Sequence, residues 1–229
     1  MGICCITNLN LIGEQFIRGL LQSESLLIRN MDYLDLLNEI VSKRVEQEIP
    51  KSHVKDYIMP NIYDPTKNIS NDLYLESILL TILSKLEENN NIYVVLLYLY
   101  PFIRHDKEKT YDNFFHCFRY ITQSLLMEVK TNDVYVWLKK YITFCTKDIT
   151  NAVYMKVPPT DDISNSLSEL IRNVYTENNI NKFVNKLINV MTGEKNNVNL
   201  ITVDMFKKLF NEYDISTVEN IRDYILQEN

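Results

Sequence analysis

The stretch 179-NINKFVNKLINVMTG-193 is the clearest indication of the fold class. Its apolar residues recur at intervals of three and four, so they line one face of an α-helix and leave the polar residues on the other. Asn179 is the predicted N-cap, and Gly193 is the predicted C-terminal stop. The apolar face consists of Ile180, Phe183, Val184, Leu187, Ile188 and Met191.

Similar periodicity predicts helices along most of the chain. The chain has only four glycines, at positions 2, 13, 19 and 193. This scarcity argues against glycine-rich phosphate-binding loops and against β-hairpins with glycine turns. The sequence therefore predicts an all-α protein, a helical bundle or short α-solenoid of about eight or nine helices. Further helices are predicted over about 31–48, 72–89, 92–104, 110–130, 132–147 and 203–212, and after capping boxes at Ser166–Glu169 and Ser216–Glu219.

The predicted helix over 110–130 carries many aromatic residues and is expected to lie at the centre of the protein. Thr110 is its predicted N-cap. Its core-facing residues are predicted to be Tyr111, Phe114, Phe115, Phe118, Leu125, Leu126 and Val129.

Two stretches interrupt the helical pattern. Pro50–Ser70 contains three prolines and no sustained period, so it is predicted to be an irregular loop. Pro158 and Pro159 mark a joint between a main helical body, residues 1–155, and a C-terminal helical unit, residues 164–229. The second unit is expected to pack on the first, or to continue it as one domain.

Composition limits the classes of partner and compartment. The formal net charge of −6 repels phosphate backbones, so nucleic acid is not an expected partner. The four cysteines form no CxxC pair and no signal peptide precedes them, which indicates reduced thiols in an intracellular, cytoplasmic protein. Abundant Asn, Ile, Lys and Tyr are typical of an AT-rich coding sequence, as in some viruses and parasites.

The N-terminus has two interpretations. A free Gly2 could accept a myristoyl chain, and Cys4 and Cys5 could accept a palmitoyl chain, which would hold the protein at a membrane surface. However, residue 6 is Ile where the myristoylation motif has Ser or Thr, and the first basic residue is Arg18. In the other interpretation, apolar residues of this segment pack against the body, namely Ile3, Ile6, Leu9 and Ile12.

One dipeptide suggests an enzymatic alternative. His105-Asp106 resembles the His-Asp pair of HD-type metal phosphohydrolases, which are all-helical and hold divalent metal ions with His and Asp. The resemblance implies His53, His105 and Asp106 as metal ligands, completed by Asp133 or Asp148. Lys107 and Lys109 would repel a cation, so the sequence favours a solvated turn and predicts no metal or other cofactor.

Aromatic residues supply the candidate contacts with a partner. The sole tryptophan, Trp137, and its neighbour Tyr135 could fill a core or form an interface hot spot, and the core is the preferred interpretation for Trp137. Tyr57 and Tyr63 lie in the proline-rich stretch and are further candidates. By elimination, the expected function is that of a non-enzymatic helical adapter or scaffold that binds another protein. The alternative is the metal-dependent phosphohydrolase.

Overall fold

The computed structural model describes residues 3–45, 48–67, 71–159, 161–193 and 198–228, with side chains from residue 11 onward. Within these residues the chain forms eleven helices and only short strands, which confirms the all-α prediction and slightly exceeds the predicted helix count. The helices are α1 (Ile3–Leu21), α2 (Tyr33–Ser42), α3 (51–62), α4 (Asp72–Ser84), α5 (92–102), α6 (Thr110–Ile121), α7 (131–154), α8 (162–174), α9 (Glu177–Thr192), α10 (Val203–Glu212) and α11 (Val218–Gln227).

Four helices are each directly preceded by a three-residue strand. The strands are β1 (Glu48–Pro50), β2 (Asn89–Asn91), β3 (Glu128–Lys130) and β4 (Leu200–Thr202). β1 pairs antiparallel with β2, and β3 pairs antiparallel with β4. The described chain thus contains four helix–strand–helix units in two pairs. We call α2–β1–α3 with α4–β2–α5 the N-terminal pair, and α6–β3–α7 with α9–β4–α10 the C-terminal pair.

The core is continuous through both pairs. α5 packs on α6, and α6 packs on α10. Phe114 of α6 is fully buried, with its ring centroid 5.1 Å from that of Tyr141 on α7 and 6.1 Å from that of Phe206 on α10. The aromatic helix is therefore central, as predicted. Cys117 and Cys145 are buried free thiols.

Three of the described helices, α1, α8 and α11, lie outside the four units. α1 packs along α8, where the Gly13 amide donates a hydrogen bond to Ser166 Oγ at 2.8 Å. A β-carbon on Gly13 would lie only 2.8 Å from the same oxygen and 3.1 Å from Leu167 Cδ2, so any larger residue would force these side chains to shift. α11 packs on α7, and its Arg222 reaches Glu14 of α1.

The prediction of an irregular loop over Pro50–Ser70 is wrong, because residues 51–62 form α3. Pro50 precedes the helix, and Pro60 follows a π-helical turn over Val54–Ile58, where the regular i to i−4 bonding is already interrupted. Val54, Ile58 and Ile62 are fully buried at helical spacing. The sequence therefore contained a helical apolar period here, but the three prolines led to the prediction of a loop.

The predicted burial of Leu125 and Leu126 is also wrong. α6 ends at Ile121, and Gln123 turns the chain with a φ of 54°. Leu125 and Leu126 are consequently 93% and 67% exposed. Val129, in β3, is buried as predicted.

Several predicted helix ends are shifted. The side-chain caps are Thr176, Asp161 and Thr217, instead of Asn179, Ser166 and Ser216, whereas Gly193 ends α9 at a φ of 65° as predicted. Lys109 precedes α6, so Thr110 is its first residue and not its N-cap. The helices predicted over 31–48 and 72–89 end earlier, at Ser42 and Ser84, because each is followed by the loop of its unit. The division of the chain near Pro158 stays a prediction.

Candidate protein-binding groove

An apolar groove of about 640 Å³ lies between α3 and α4. Its apolar lining includes Leu27, Met59, Leu79, Leu80 and Leu83. Leu80 is 51% exposed although it belongs to one of the most apolar helices of the chain. A helix with apolar residues around its circumference normally lies fully inside a protein. We call this feature the α3–α4 groove.

The groove exists because α4 has two apolar sides and covers only one of them. One side packs on the C-terminal end of α7, where Ser77 Oγ donates a hydrogen bond to the Ala152 carbonyl at 2.8 Å. The other side faces α3, and these two helices pack on each other less closely than α7 and α9 do. Apolar side chains of α4 therefore remain accessible.

Comparison of the two pairs shows which contact is missing. In the C-terminal pair, the corresponding helices α7 and α9 pack closely. Lys139 of α7 pairs with Glu177 of α9 at 2.8 Å, and the Tyr135 hydroxyl donates to Asn181 Oδ1 at 3.5 Å. The N-terminal pair thus lacks the close helix packing that α7 and α9 have, although a shallow cavity lined by Tyr135 and Ile188 also lies at one end of α7 and α9.

Carboxylates predominate among the charged residues that line the groove. Asp64, Asp72 and Glu76 line it together with one cation, Lys55. Hydrogen bonds from the Thr66 hydroxyl and amide, at 2.7 and 3.0 Å, lower the pKa of the Asp64 carboxyl. The Lys67 charge acts on this pKa in the same direction. Asp72 Oδ1 is buried and accepts no hydrogen bond from any described residue. The lining therefore combines apolar side chains with a net negative charge.

The helix–strand–helix units resemble the EF-hand, in which a loop of about 12 residues between two helices holds calcium. The segments between the helices of each unit are residues 43–50, 85–91, 122–130 and 193–202, of which 46–47 and 194–197 lie outside the described residues. None carries the D-x-[DN]-x-[DN]-G spacing of a calcium loop, and their only glycine is Gly193, which ends α9. The resemblance is therefore one of architecture, without the ligands for calcium.

Side chains of the protein close two of these loops. Asn90 is buried, accepts a hydrogen bond from the Glu87 amide at 2.9 Å and donates to the Glu87 carbonyl at 2.7 Å. Arg119 Nε donates to the Ser124 carbonyl at 3.4 Å in the loop of the third unit. These bonds use backbone groups that would otherwise need another partner.

The residues of the phosphohydrolase alternative are not gathered into a metal site. His53 Nδ1 lies 3.0 Å from the Lys43 carbonyl in the first loop. Burial lowers the pKa of His105 to about 4, although the Asp214 charge opposes this shift, and Asp106 is exposed. In the described part of the chain, no group of three or more His, Cys, Asp or Glu side chains could hold a metal ion.

The aromatic candidates lie in different places. Tyr63 lines the groove, and its hydroxyl donates to the Asp72 carbonyl at 3.3 Å. Tyr57 is exposed beside His53, outside the groove lining. Trp137 is half-buried under Lys140 Nζ, which lies 4.0 Å from its ring centroid. Trp137 packs against the core as a partly buried residue, and its role as an interface residue stays a prediction.

The lipidation candidates are not characterised by the structure. Gly2 lies outside the described residues, and Cys4 and Cys5 belong to α1 with side chains that are not described. Of the apolar residues predicted to pack here, Ile12 is described and is partly exposed, so it does not join the core. None of the helices in the described residues has the length and apolar character needed to span a bilayer.

The residues that matter most for the groove, Leu80, Leu83 and Asp72, were not identified from the sequence as binding residues. One signal was available: α4 carries leucines on more than one face, at Leu73, Leu79 and Leu80. Comparisons with known proteins add no assignment, since no protein-family description matches the chain and no curated protein matches it significantly.

Proposed function

We propose that this protein is a non-enzymatic adapter that binds another protein through the α3–α4 groove. One observation carries the proposal: α3 and α4 pack loosely and leave an apolar groove between them, whereas the corresponding helices α7 and α9 of the C-terminal pair pack closely. Apolar surface left accessible at such a position favours association, at about 25 cal/mol per Å² of apolar area removed from water.

The proposal also explains the chemistry of the lining. Proteins that bind small polar substrates need convergent polar groups inside a pocket. The lining of the α3–α4 groove is mainly leucine, methionine, proline and tyrosine with four charged residues, a mixture of apolar and polar groups typical of protein interfaces. Tyr63 at the rim provides an aromatic side chain of the kind that interface hot spots use.

A photo-crosslinking experiment tests the proposal. The full chain carries a photoreactive amino acid at position 80, or at the control position 136 on α7, in the cell of origin. We expect one protein to be crosslinked from position 80 and not from position 136. That protein is then purified and titrated with the wild-type chain and two variants.

Leu80→Asp should weaken the measured affinity at least about tenfold, because it places a carboxylate on the apolar floor. Val136→Asp changes a 40% exposed residue on another helix and should leave the affinity unchanged. Equal affinity of the Leu80→Asp variant and the wild-type chain would contradict the proposed function.

A further inference from the structure

We infer that the α3–α4 groove binds an amphipathic helix of about three turns with a basic residue beside its apolar face. This inference rests on the proposed function and specifies the partner. It follows from the shape of the groove, the backbone groups around it and its charge.

The shape of the groove fits a helix. The α4 residues that line it, from Asp72 through Glu76 and Leu79 to Leu83, follow one face at helical spacing. This face extends over three turns, or about 16 Å. The opposite wall is α3, which contributes Lys55 and Met59. A third helix can lie in the trough between two helices at the usual interaxial distance of about 8–10 Å.

The walls do not fit an extended peptide. A peptide that binds as a β-strand needs unpaired backbone N–H and C=O groups along a sheet edge. Here both long walls are helices, whose interior backbone groups bond within the helix. Pro60 and Pro65 on the lining have no amide hydrogen to donate. The partner must therefore satisfy its own backbone, as a helix does.

The charge of the groove specifies the polar flank of that helix. Three carboxylates, Asp64, Asp72 and Glu76, face one lysine, Lys55. The buried Asp72 Oδ1 lacks a hydrogen-bond donor among the described residues. This oxygen is shielded from solvent, so a lysine or arginine on the bound helix would pair instead with the accessible part of the half-buried Asp72 carboxylate or with Glu76, through a charge-assisted hydrogen bond. A glutamate at the same place would be repelled.

Two synthetic peptides of about four turns test the inference. Both carry leucines at i, i+3, i+4 and i+7, and the residues flanking the leucine face are lysine in one and glutamate in the other. A third peptide has the lysine composition in scrambled order. The readout is fluorescence anisotropy of labelled peptide titrated with the full chain.

The lysine peptide should bind at least about tenfold more tightly than the glutamate and scrambled peptides, and its affinity should fall as salt is raised. Asp72→Asn should weaken the lysine peptide and leave the glutamate peptide unchanged or improved. Leu80→Asp should weaken both, and the control Val136→Asp neither.

Different experimental results would overturn the helical partner and the adapter function. Equal binding of the lysine and glutamate peptides, with loss in Leu80→Asp, overturns the basic partner and supports a helix-binding groove. Absence of binding by every ordered peptide, while the crosslinked protein still depends on Leu80, overturns the helical partner and leaves the adapter function. Absence of any dependence on Leu80 overturns both.

Discussion

Removal of Arg222 should destabilise the protein more than the loss of any exposed charge. Arg222 on α11 is fully buried, and its guanidinium donates to both carboxylate oxygens of Glu14, at 2.9 and 2.6 Å. It also donates to the carbonyls of Cys145 and Thr146, each at 3.1 Å, and to Thr150 Oγ1 at 3.0 Å. One side chain thus joins α1, α7 and α11.

The magnitude follows from what Arg222→Met leaves behind. Glu14 remains buried with a hydrogen bond from the Tyr175 hydroxyl but without its cationic partner, and the α7 carbonyls lose their donor. Breaking a buried ion pair from one side costs about 3–5 kcal/mol. For a chain of this size that loss lowers the melting temperature by roughly 6–20 °C.

A second ion pair supplies the control. Arg18 and Asp223 also join α1 to α11, but both side chains are partly exposed. Arg18→Met should therefore cost only about 0–1 kcal/mol. Urea unfolding followed by circular dichroism measures both variants. If the Arg222→Met variant is as stable as the Arg18→Met variant or more stable, the buried ion pair does not contribute as described.

The same site has a double-variant and a pH signature. Glu14→Leu with Arg222→Met removes both charges, so the double variant should be more stable than Arg222→Met alone. Burial raises the pKa of Glu14, but the Arg222 charge and the hydrogen bonds from Arg222 and Tyr175 outweigh it and lower the pKa overall. The contribution to stability is thus present above the ordinary value of 4.5 and is lost as pH falls below it. The double variant should lack this loss.

Three further predictions concern the loops, α1 and His105. Calcium at millimolar concentration should leave the melting temperature and the peptide affinity unchanged, and a rise of several degrees with calcium would contradict the absence of ligand loops. Gly13→Ala should destabilise by about 1 kcal/mol because its β-carbon would meet Ser166 Oγ. Gly19→Ala should stabilise by about 0.5–1 kcal/mol because its β-carbon would meet no atom within 4 Å. Changes in unfolding free energy of the same sign for both variants would be inconsistent with the packing of α1 on α8. His105 has a pKa lowered from 6.5 to about 4, so unfolding free energy should fall as pH drops from 6.5 towards 4, and His105→Gln should flatten this slope in urea titrations at several pH values.

The sequence predicted the parts of the fold where a regular period has the correct length and clear ends. α10 is observed at the predicted residues 203–212, and Gly193 ends α9 as expected. Phe114, Phe115 and Phe118 are buried because the aromatic face of α6 has one consistent direction. These features depend on local spacing alone.

The paired architecture could not be predicted, because it depends on contacts between distant residues. Each strand has only three residues, which is too short for an alternation of apolar and polar residues to be detected. In the first pair of strands, apolar Ile49 lies opposite polar Asn90, so the partner strand has no apolar pattern either. The groove was equally hidden, since one of its walls is α3, which the three prolines between Pro50 and Ser70 made appear irregular. The other wall was predicted as a helix, but exposure of Leu80 is a property of packing and not of sequence period.

The most direct test of the groove is a methyl NMR titration of the full chain with the lysine peptide. We predict that the largest chemical-shift changes occur at methyl groups that line the groove, those of Met59, Leu79, Leu80 and Leu83. Leu125 and Leu126 provide an internal control, because they are exposed apolar residues outside the groove. Shifts at these two leucines without shifts on the groove floor would contradict the central claim.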